Sequence, residues 1–457
     1  MEFKSKQEKV IILNRAFWFQ FEAVTQQKEL VQCIASDLIQ DVYQIAPKKR
    51  HHRTDELETF CLLLLNIRLA MEYGDGWIAI HSNKNRYSNT LVSYRHVHYL
   101  LEALLEIGWL ERTNSFYNDK EMLSGLVARY KVREFLENQL NSVGLEHQQI
   151  SFSPPNFGVV LKNSSKNIIT IPEPLKETAE VISSRLRLIN EQYSKVEIGL
   201  SITELEAIQL AKELRNNNAI DSSNPCYVLT KKKYLKRTFN RSSFDLGGRF
   251  YGAWWQHVPT QWRRHITIDG RSTIELDYSA FHIRMLYGLK HPGFKGLDDP
   301  YDIGGIDAFF RPVTKQIFLI IINAKDRSTA LNTIKRNSLI AQLREGKHPK
   351  GIRNFSEYLK RIEEQHIFIS DDFYSDKGIY LQNIDSHIAE GVVLRMLKEH
   401  GAICLPVHDS FIVLQKHEEA LRKVMEEEFN KRISIACVIK RNKYKEKIKV
   451  ASYRKRS

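Results

Sequence analysis

Two apolar runs in the second half of the chain are each interrupted by an acid. Thr273, Ile274 and Leu276 read as a short buried strand that ends at Asp277, and Ile283, Met285 and Leu286 then return at helical spacing. Ile403, Leu405 and Val407, followed by Phe411 to Leu414, are strand-like on both sides of the polar pair His408-Asp409. Such a break predicts a hairpin with an acid at its tip. Two carboxylates on neighbouring strands are suited to hold two divalent ions for phosphoryl chemistry. A pair of turn-capping aspartates is the plainer alternative.

Upstream, residues 1 to about 45 read as helical, with Phe17, Phe19 and Phe21 near the start. Leu57 to Tyr73 predict an apolar helix closed by Gly74-Asp75-Gly76, and Trp77 to Ile80 a short strand. Ser93 caps a helix whose inward face is Val97, Leu100, Leu101, Leu104 and Leu105, ended at Gly108. Trp109 to Arg112, a polar tip, and Leu126 to Val132 complete a hairpin. Helix followed at once by hairpin predicts a winged helix-turn-helix, with Tyr94, Arg95 and His98 on the outward face for phosphates or base edges. Winged helices also serve as protein-contact modules.

Ser151 to Pro174 reads as a linker. A helix to about Tyr193, with Ile182, Leu186 and Ile189 on one face, and a second over Thr203 to Asn216 follow as a thumb-like arm or an ordinary helical hairpin. Lys231 to Arg241 is basic and aromatic, and Gly247-Gly248-Arg249 precedes Trp254 and Trp255. Aromatics interleaved with cations suit base stacking and backbone neutralisation; a tight hairpin with core tryptophans is the alternative.

Charge sharpens this picture. Among 457 residues, Lys and Arg exceed Asp and Glu to give a net charge of +14, which favours a polyanionic partner. Hydrophobic content of 42% supports sizeable cores, and the length allows roughly three domains. No apolar run reaches the ~20 residues of a membrane span, and the first residues lack the apolar core of a signal peptide. The five cysteines are scattered without metal spacing and read as reduced core residues. A soluble, cytoplasmic protein is expected, with association to the nucleoid as an alternative.

With these residues in view, positions 244 to 415 or so resemble the family A DNA polymerases and the related single-subunit, phage-type RNA polymerases. Asp277-Tyr278-Ser279 is similar to motif A, and Val407-His408-Asp409 to motif C. Gly248-Arg249-Phe250-Tyr251 resembles the Gly-Arg-x-Tyr segment of the RNA enzymes. Ala308 to Ala324, with Pro312 in a first helical turn and Arg311 and Lys315 four apart on one face, is similar to motif B. The chain departs from that pattern at Asn323-Ala324, where the family has Tyr-Gly, and at His282, which matches neither the Glu of the DNA enzymes nor the Gly of the RNA enzymes. Ser410 agrees with the RNA polymerases.

The resemblance implies an α+β chain: a right-hand polymerase palm and fingers with an antiparallel palm sheet over 231-457, preceded by a mostly helical N-terminal half. That half divides into a helical segment at 1-50, a winged-helix-like DNA-binding domain at 51-150, and a linker with a thumb-like arm at 151-230. It further implies two Mg²⁺ ions, or Mn²⁺, between Asp277 and Asp409. Arg311, Lys315, Tyr278, His282 and Asn323 would meet a nucleoside triphosphate. Arg249, Gln382 and His408 would meet template or primer DNA. The activity implied is template-directed nucleotidyl transfer, with DNA as the favoured product because motif A reads Asp-Tyr-Ser and His282 is large. An RNA polymerase that starts its own chains, and a DNA-binding initiator or regulator whose polymerase fold no longer catalyses, remain open.

Overall fold

The computed structural model describes residues 16–45, 53–82, 84–87, 90, 92–113, 128–154, 158–220, 227–295, 298–304, 310–337, 340 and 354–442. The basic run over 48–52, Leu126-Val127, Ala308-Phe309 and the basic residues beyond 442 lie outside them. The fold mixes helix and sheet in two compact units. One comprises residues up to Arg237 together with Tyr251–Gly270, and the other Thr238–Phe250 with the chain from Arg271.

The first unit opens with β1 (Phe17–Trp18) and β2 (Ala23–Thr25), then α1 (Lys28–Ile45) and α2 (Arg53–Tyr73). Next come β3 (Trp77–Ala79), α3 (Tyr94–Ile107), β4 (Leu110–Thr113), β5 (Arg129–Val132) and α4 (Glu134–Ser142). Of the helix expected over residues 1 to about 45, Lys28–Ile45 is helical, 17–18 and 23–25 are strands instead, and 1–15 lie outside the described residues. Phe17 and Phe19 repeat at a period of two, and β1 pairs parallel with β3 in a sheet ordered β1-β3-β5-β4. Ser93 accepts a hydrogen bond from the His96 amide, and Gly108, at φ 84, donates its N–H to the Leu104 and Leu105 carbonyls. These bonds satisfy end groups that α3 cannot pair internally. Val97, Leu100, Leu101 and Leu104 are fully buried against Leu63, Leu64 and Ile67 of α2.

The segment read as a linker holds three short strands: β6 (Ile150–Phe152), β7 (Val159–Lys162) and β8 (Ile168–Ile169). β6 pairs with β2, and β7 with β8. α5 (Lys176–Lys195), β9 (Ile198–Leu200) and α6 (Glu204–Ile220) follow, so Asn216 to Asn218 continue the helix instead of ending it. Trp254 and Trp255 are core residues, 3% and 0% exposed, and stand edge to face, which rules them out as stacking platforms. Cys33 is exposed, against the expectation of a buried thiol.

Lys232 also departs from expectation, because it turns inward. Its Nζ donates to Gln20 Oε1 at 2.7 Å and lies 3.8 Å from Glu22, while Lys236 Nζ donates to Glu22 at 3.3 Å. Burial alone would raise the Glu22 carboxyl, but the two ammonium groups and hydrogen bonds from Lys236 and Tyr234 hold it at about 2.

The second unit contains most of β10 (Lys236–Asn240) and β11 (Ser243–Tyr251), then β13 (Arg271–Tyr278), which follows β12 (Ile266–Ile268) of the first unit. α7 (Phe281–Lys290), α8 (Arg311–Asn323), α9 (Arg327–Arg336), α10 (Phe355–Gln365) and α11 (Gly378–His400) come next. The chain ends with β14 (Leu405–Val407), β15 (Ser410–Leu414), α12 (Glu418–Arg432) and β16 (Ile439–Arg441). β14, β15, β13 and β16 are antiparallel neighbours. α11 and α12 pack on each other, and both contact this sheet.

The Glu22 cluster makes a stability prediction. A carboxyl depressed in the folded state contributes stability above its unfolded value of 4.5, lost as pH falls from 4.5 toward 2. Glu22→Gln should cost about 3 kcal/mol at pH 7, because it leaves Lys232 without its charge partner. In urea titrations the variant should also lose less stability than the wild type between those two pH values. Equal acid sensitivity would contradict the account.

Candidate active site

The antiparallel register of β13 and β15 sets Asp277 directly opposite Ser410, the residue after Asp409. Val407 pairs with Ser410, so His408 and Asp409 form a two-residue loop. His408 sits at φ 58, the left-handed conformation that tight hairpins use and that His tolerates better than most residues. The Tyr278 amide donates to the Asp409 carbonyl at 3.2 Å and ties the loop to β13. Asp277 and Asp409 are half-buried and His408 is exposed. On its other side Asp277 pairs with Lys440 of β16.

Both acids act on one neighbour, Tyr301. Burial, then the negative charges of Asp409, Asp299 and Asp277, push its hydroxyl up to about 12, with Arg311 opposing them. Tyr301 therefore stays protonated at neutral pH. The Arg311 guanidinium lies 5.1 Å from the Tyr301 ring centre. It also grips Asp299 with both arms, Nε to Oδ2 at 2.5 Å and Nη2 to Oδ1 at 3.1 Å. Burial would raise the Asp299 carboxyl, but this grip and the Tyr301 amide bring it below the ordinary range. Tyr301 thus feels the charges of Asp277 and Asp409 and carries Arg311 against its ring. Lys315 is exposed one turn further along α8.

A second cluster lies at the start of α7. Ala280, at φ 52 and ψ 43, turns the chain sharply from β13 into α7. His282 follows, with Nε2 3.1 Å from Arg249 Nη2. Arg249 in turn is paired to Asp385 of α11, Nη2 to Oδ2 at 2.5 Å and Nε to Oδ2 at 2.6 Å. Asp385 is 1% exposed. Gly247 and Gly248, at φ 77 and 90, bring β11 onto α11, where Asn383 and Ser386 donate to the Gly247 carbonyl. A side chain on Gly248 would meet Phe239 at 2.6 Å. The glycine pair thus serves helix packing.

Other expected site residues sit elsewhere. Tyr278 is a core residue, 2% exposed: its ring stacks on Phe281 at 4.4 Å and its hydroxyl donates to the Met425 carbonyl at 2.6 Å. It has no face left for a nucleotide. Asn323 closes the far end of α8 and donates to the Leu319 carbonyl, about 18 Å along the axis from Arg311. Gln382 is half-buried on α11, three positions before Asp385. In the first unit, Arg95 is exposed on α3, whereas Tyr94 and His98 are half-buried with ring centres 4.1 Å apart. Burial lowers the His98 pKa, with a backbone hydrogen bond to His81 and the charge of Glu102 opposing.

Four residues that matter here escaped the sequence reading. Asp299 and Tyr301 lie in the Asp298-Asp299-Pro300-Tyr301 segment, whose partner on α8 no periodicity reveals. Asp385 shares the stripe of Leu381, Ile388 and Val392, a signal that was present. Glu275, 1% exposed and on the same sheet face as Asp277, accepts from Ser410 Oγ at 2.5 Å.

Two hard carboxylates suit Mg²⁺, which takes one or two protein carboxylates and fills its octahedron with phosphate and water oxygens. Among the described residues, no group of three or more His, Cys, Asp or Glu is gathered for a metal, so the fit rests on the acid pair.

No family model and no curated protein matches the chain. Among solved structures it is similar to the POL domain of Pol1 from M. smegmatis in complex with DNA primer-template and dNTP, at 12% identity and a TM-score of 0.34, covering 90% of this chain and 80% of that one. Among the described residues no helix is long and apolar enough to cross a membrane.

The grip of Asp299 on Arg311 predicts competition with anions. Asp299→Asn should tighten the binding of inorganic triphosphate by about tenfold in calorimetry, the worth of one charge-assisted hydrogen bond. Unchanged or weaker binding would show that Arg311 does not serve an anion site.

Proposed function

We propose that this chain is a template-directed nucleotidyltransferase, with a DNA product favoured over RNA. The observation that carries the reading is the β13–β15 register, which sets Asp277 across from Ser410 and so next to Asp409, with Arg311 and Tyr301 stacked in the same unit. In this reading β13 to β16 form the palm, α8 belongs to the fingers, α5 and α6 form a thumb-like arm, and the α3 module is a winged helix that contacts DNA.

Asp277 and Asp409 would hold the divalent ions, Mg²⁺ or Mn²⁺. Bound there, the ions would supply a lowered pKa for a primer 3′-hydroxyl and neutralisation of the departing pyrophosphate. Arg311 leaves Asp299 and, with Lys315, binds the triphosphate and balances the charge that builds during transfer. Tyr301, kept protonated, donates a hydrogen bond toward the same oxygens. His282 faces the nucleotide sugar, and exposed His408 meets the primer terminus. Gln382 contacts the template. Arg249 reaches DNA only as far as its pairing with Asp385 allows.

Extension of a labelled primer-template tests this. The wild type should extend in Mg²⁺, and Asp277→Ala or Asp409→Ala should each reduce the rate at least about a hundredfold. Retained duplex binding with no wild-type extension, on either nucleotide set, would leave a DNA-binding protein that does not catalyse. Ribonucleotide synthesis without a primer would instead make it an RNA polymerase.

The α3 module makes a separate prediction. Arg95→Ala should weaken duplex binding and flatten its dependence on salt by about one unit of log-log slope, as expected when one phosphate contact is lost. Unchanged binding would assign this face to a protein partner.

A further inference from the structure

Asp385, Arg249 and His282 form a chain of charged and polar groups that runs from the core to the first turn of α7. Asp385 is an acid inside α11, where burial of an unpaired carboxylate would be costly. Arg249 answers it with two nitrogens on one oxygen. That pairing fixes the guanidinium, and its Nη2 is then 3.1 Å from His282 Nε2. A guanidinium has donors only and no acceptor. The hydrogen bond therefore requires His282 Nε2 to accept, and the ring proton must sit on Nδ1.

His282 is 17% exposed, and its Nδ1 has no hydrogen-bond partner among the described residues. The other titratable group facing the ring is Asp385 itself, 3.9 Å from Nε2. Asn383 and Ser386, on the same turn of α11, are engaged with β11 and hold the Arg249 strand in place.

We propose that Asp385 is a positioning residue that acts through Arg249 to hold His282 as a neutral imidazole with its proton on Nδ1, so that the site presents one fixed hydrogen-bond donor to an acceptor oxygen of the bound nucleotide. The proposal rests on the nucleotide reading of this face. It differs from that reading in assigning a tautomer and the two groups that enforce it. A free imidazole exchanges its proton between the two nitrogens and offers donor or acceptor alike; here the buried acid removes that freedom.

Nitrogen-15 NMR of the full chain, labelled in its histidine rings, reads the tautomer directly, with His282→Gln identifying the resonance. The wild type should show a protonated Nδ1 and an unprotonated Nε2 at neutral pH. Arg249→Ala should release the ring to the averaged pattern. Asp385→Asn, which leaves Arg249 without its charge anchor, should do so in part. Because loss of a buried acid can unfold the chain, Arg249→Lys supplies a milder case: it keeps a donor and should largely restore the wild-type pattern. In the extension assay, Arg249→Ala should raise KM for the incoming nucleotide about tenfold, with a smaller change in kcat. Arg249→Lys should recover most of that loss. A wild-type ring protonated on Nε2, or a pattern unmoved by Arg249→Ala, overturns the proposal. A wild-type tautomer as stated in a chain that extends no primer sinks the polymerase reading and, with it, the donor's role toward a nucleotide, while the Asp385–Arg249–His282 arrangement stands.

Discussion

The pairing of β13 with β15 is the constraint on which the candidate site depends. Antiparallel registry sets Asp277 across from Ser410 and therefore beside Asp409, although the two acids are 132 positions apart in sequence. A slip of one residue would turn one of the facing side chains to the opposite sheet surface. The register is defended from both ends. Ile274, Leu276 and Tyr278 bury the far face of β13, and the two-residue loop at His408 fixes where β15 starts. The tie from the Tyr278 amide to the Asp409 carbonyl closes the arrangement.

Charge around this sheet is arranged in pairs. Asp299 occupies Arg311 and Asp385 occupies Arg249. Each pair keeps a cation near the acids without leaving it bare in the absence of a ligand. The two arginine pairs differ in burial, and that difference separates their roles. The Arg311 pair is about a third exposed on each side, so an arriving anion competes on even terms with Asp299. The Arg249 pair has a fully buried acid, so removing Arg249 from it would strand a charge in the core. The Arg311 pair is thus the more open of the two and the Arg249 pair the more enclosed.

The sequence made legible what local rules control. The polar break at His408-Asp409 marks a hairpin tip, Ser93 and Gly108 bracket α3, and Pro312 opens α8, because each depends only on neighbours in the chain. The strands within 150–169 were missed because they are two to four residues long and are held by backbone pairing, which leaves no pattern in side chains. β1 was missed although Phe17 and Phe19 alternate as a strand should. The resemblance to motif A sets Tyr278 in a nucleotide pocket, yet alternation along β13 sends its ring to the opposite, buried face. The partners of Arg311 and Arg249 lie on other elements, so only the folded chain reveals that both cations are already engaged.

The central claim, that Asp277 and Asp409 form one metal-binding unit, is tested most directly by a double-mutant cycle on Mn²⁺ binding, followed by electron paramagnetic resonance. If the acids share a site, Asp277→Asn and Asp409→Asn each abolish most of the high-affinity binding, and the double variant loses little more than either single one. Two losses that simply add, or wild-type binding in either single variant, would contradict it.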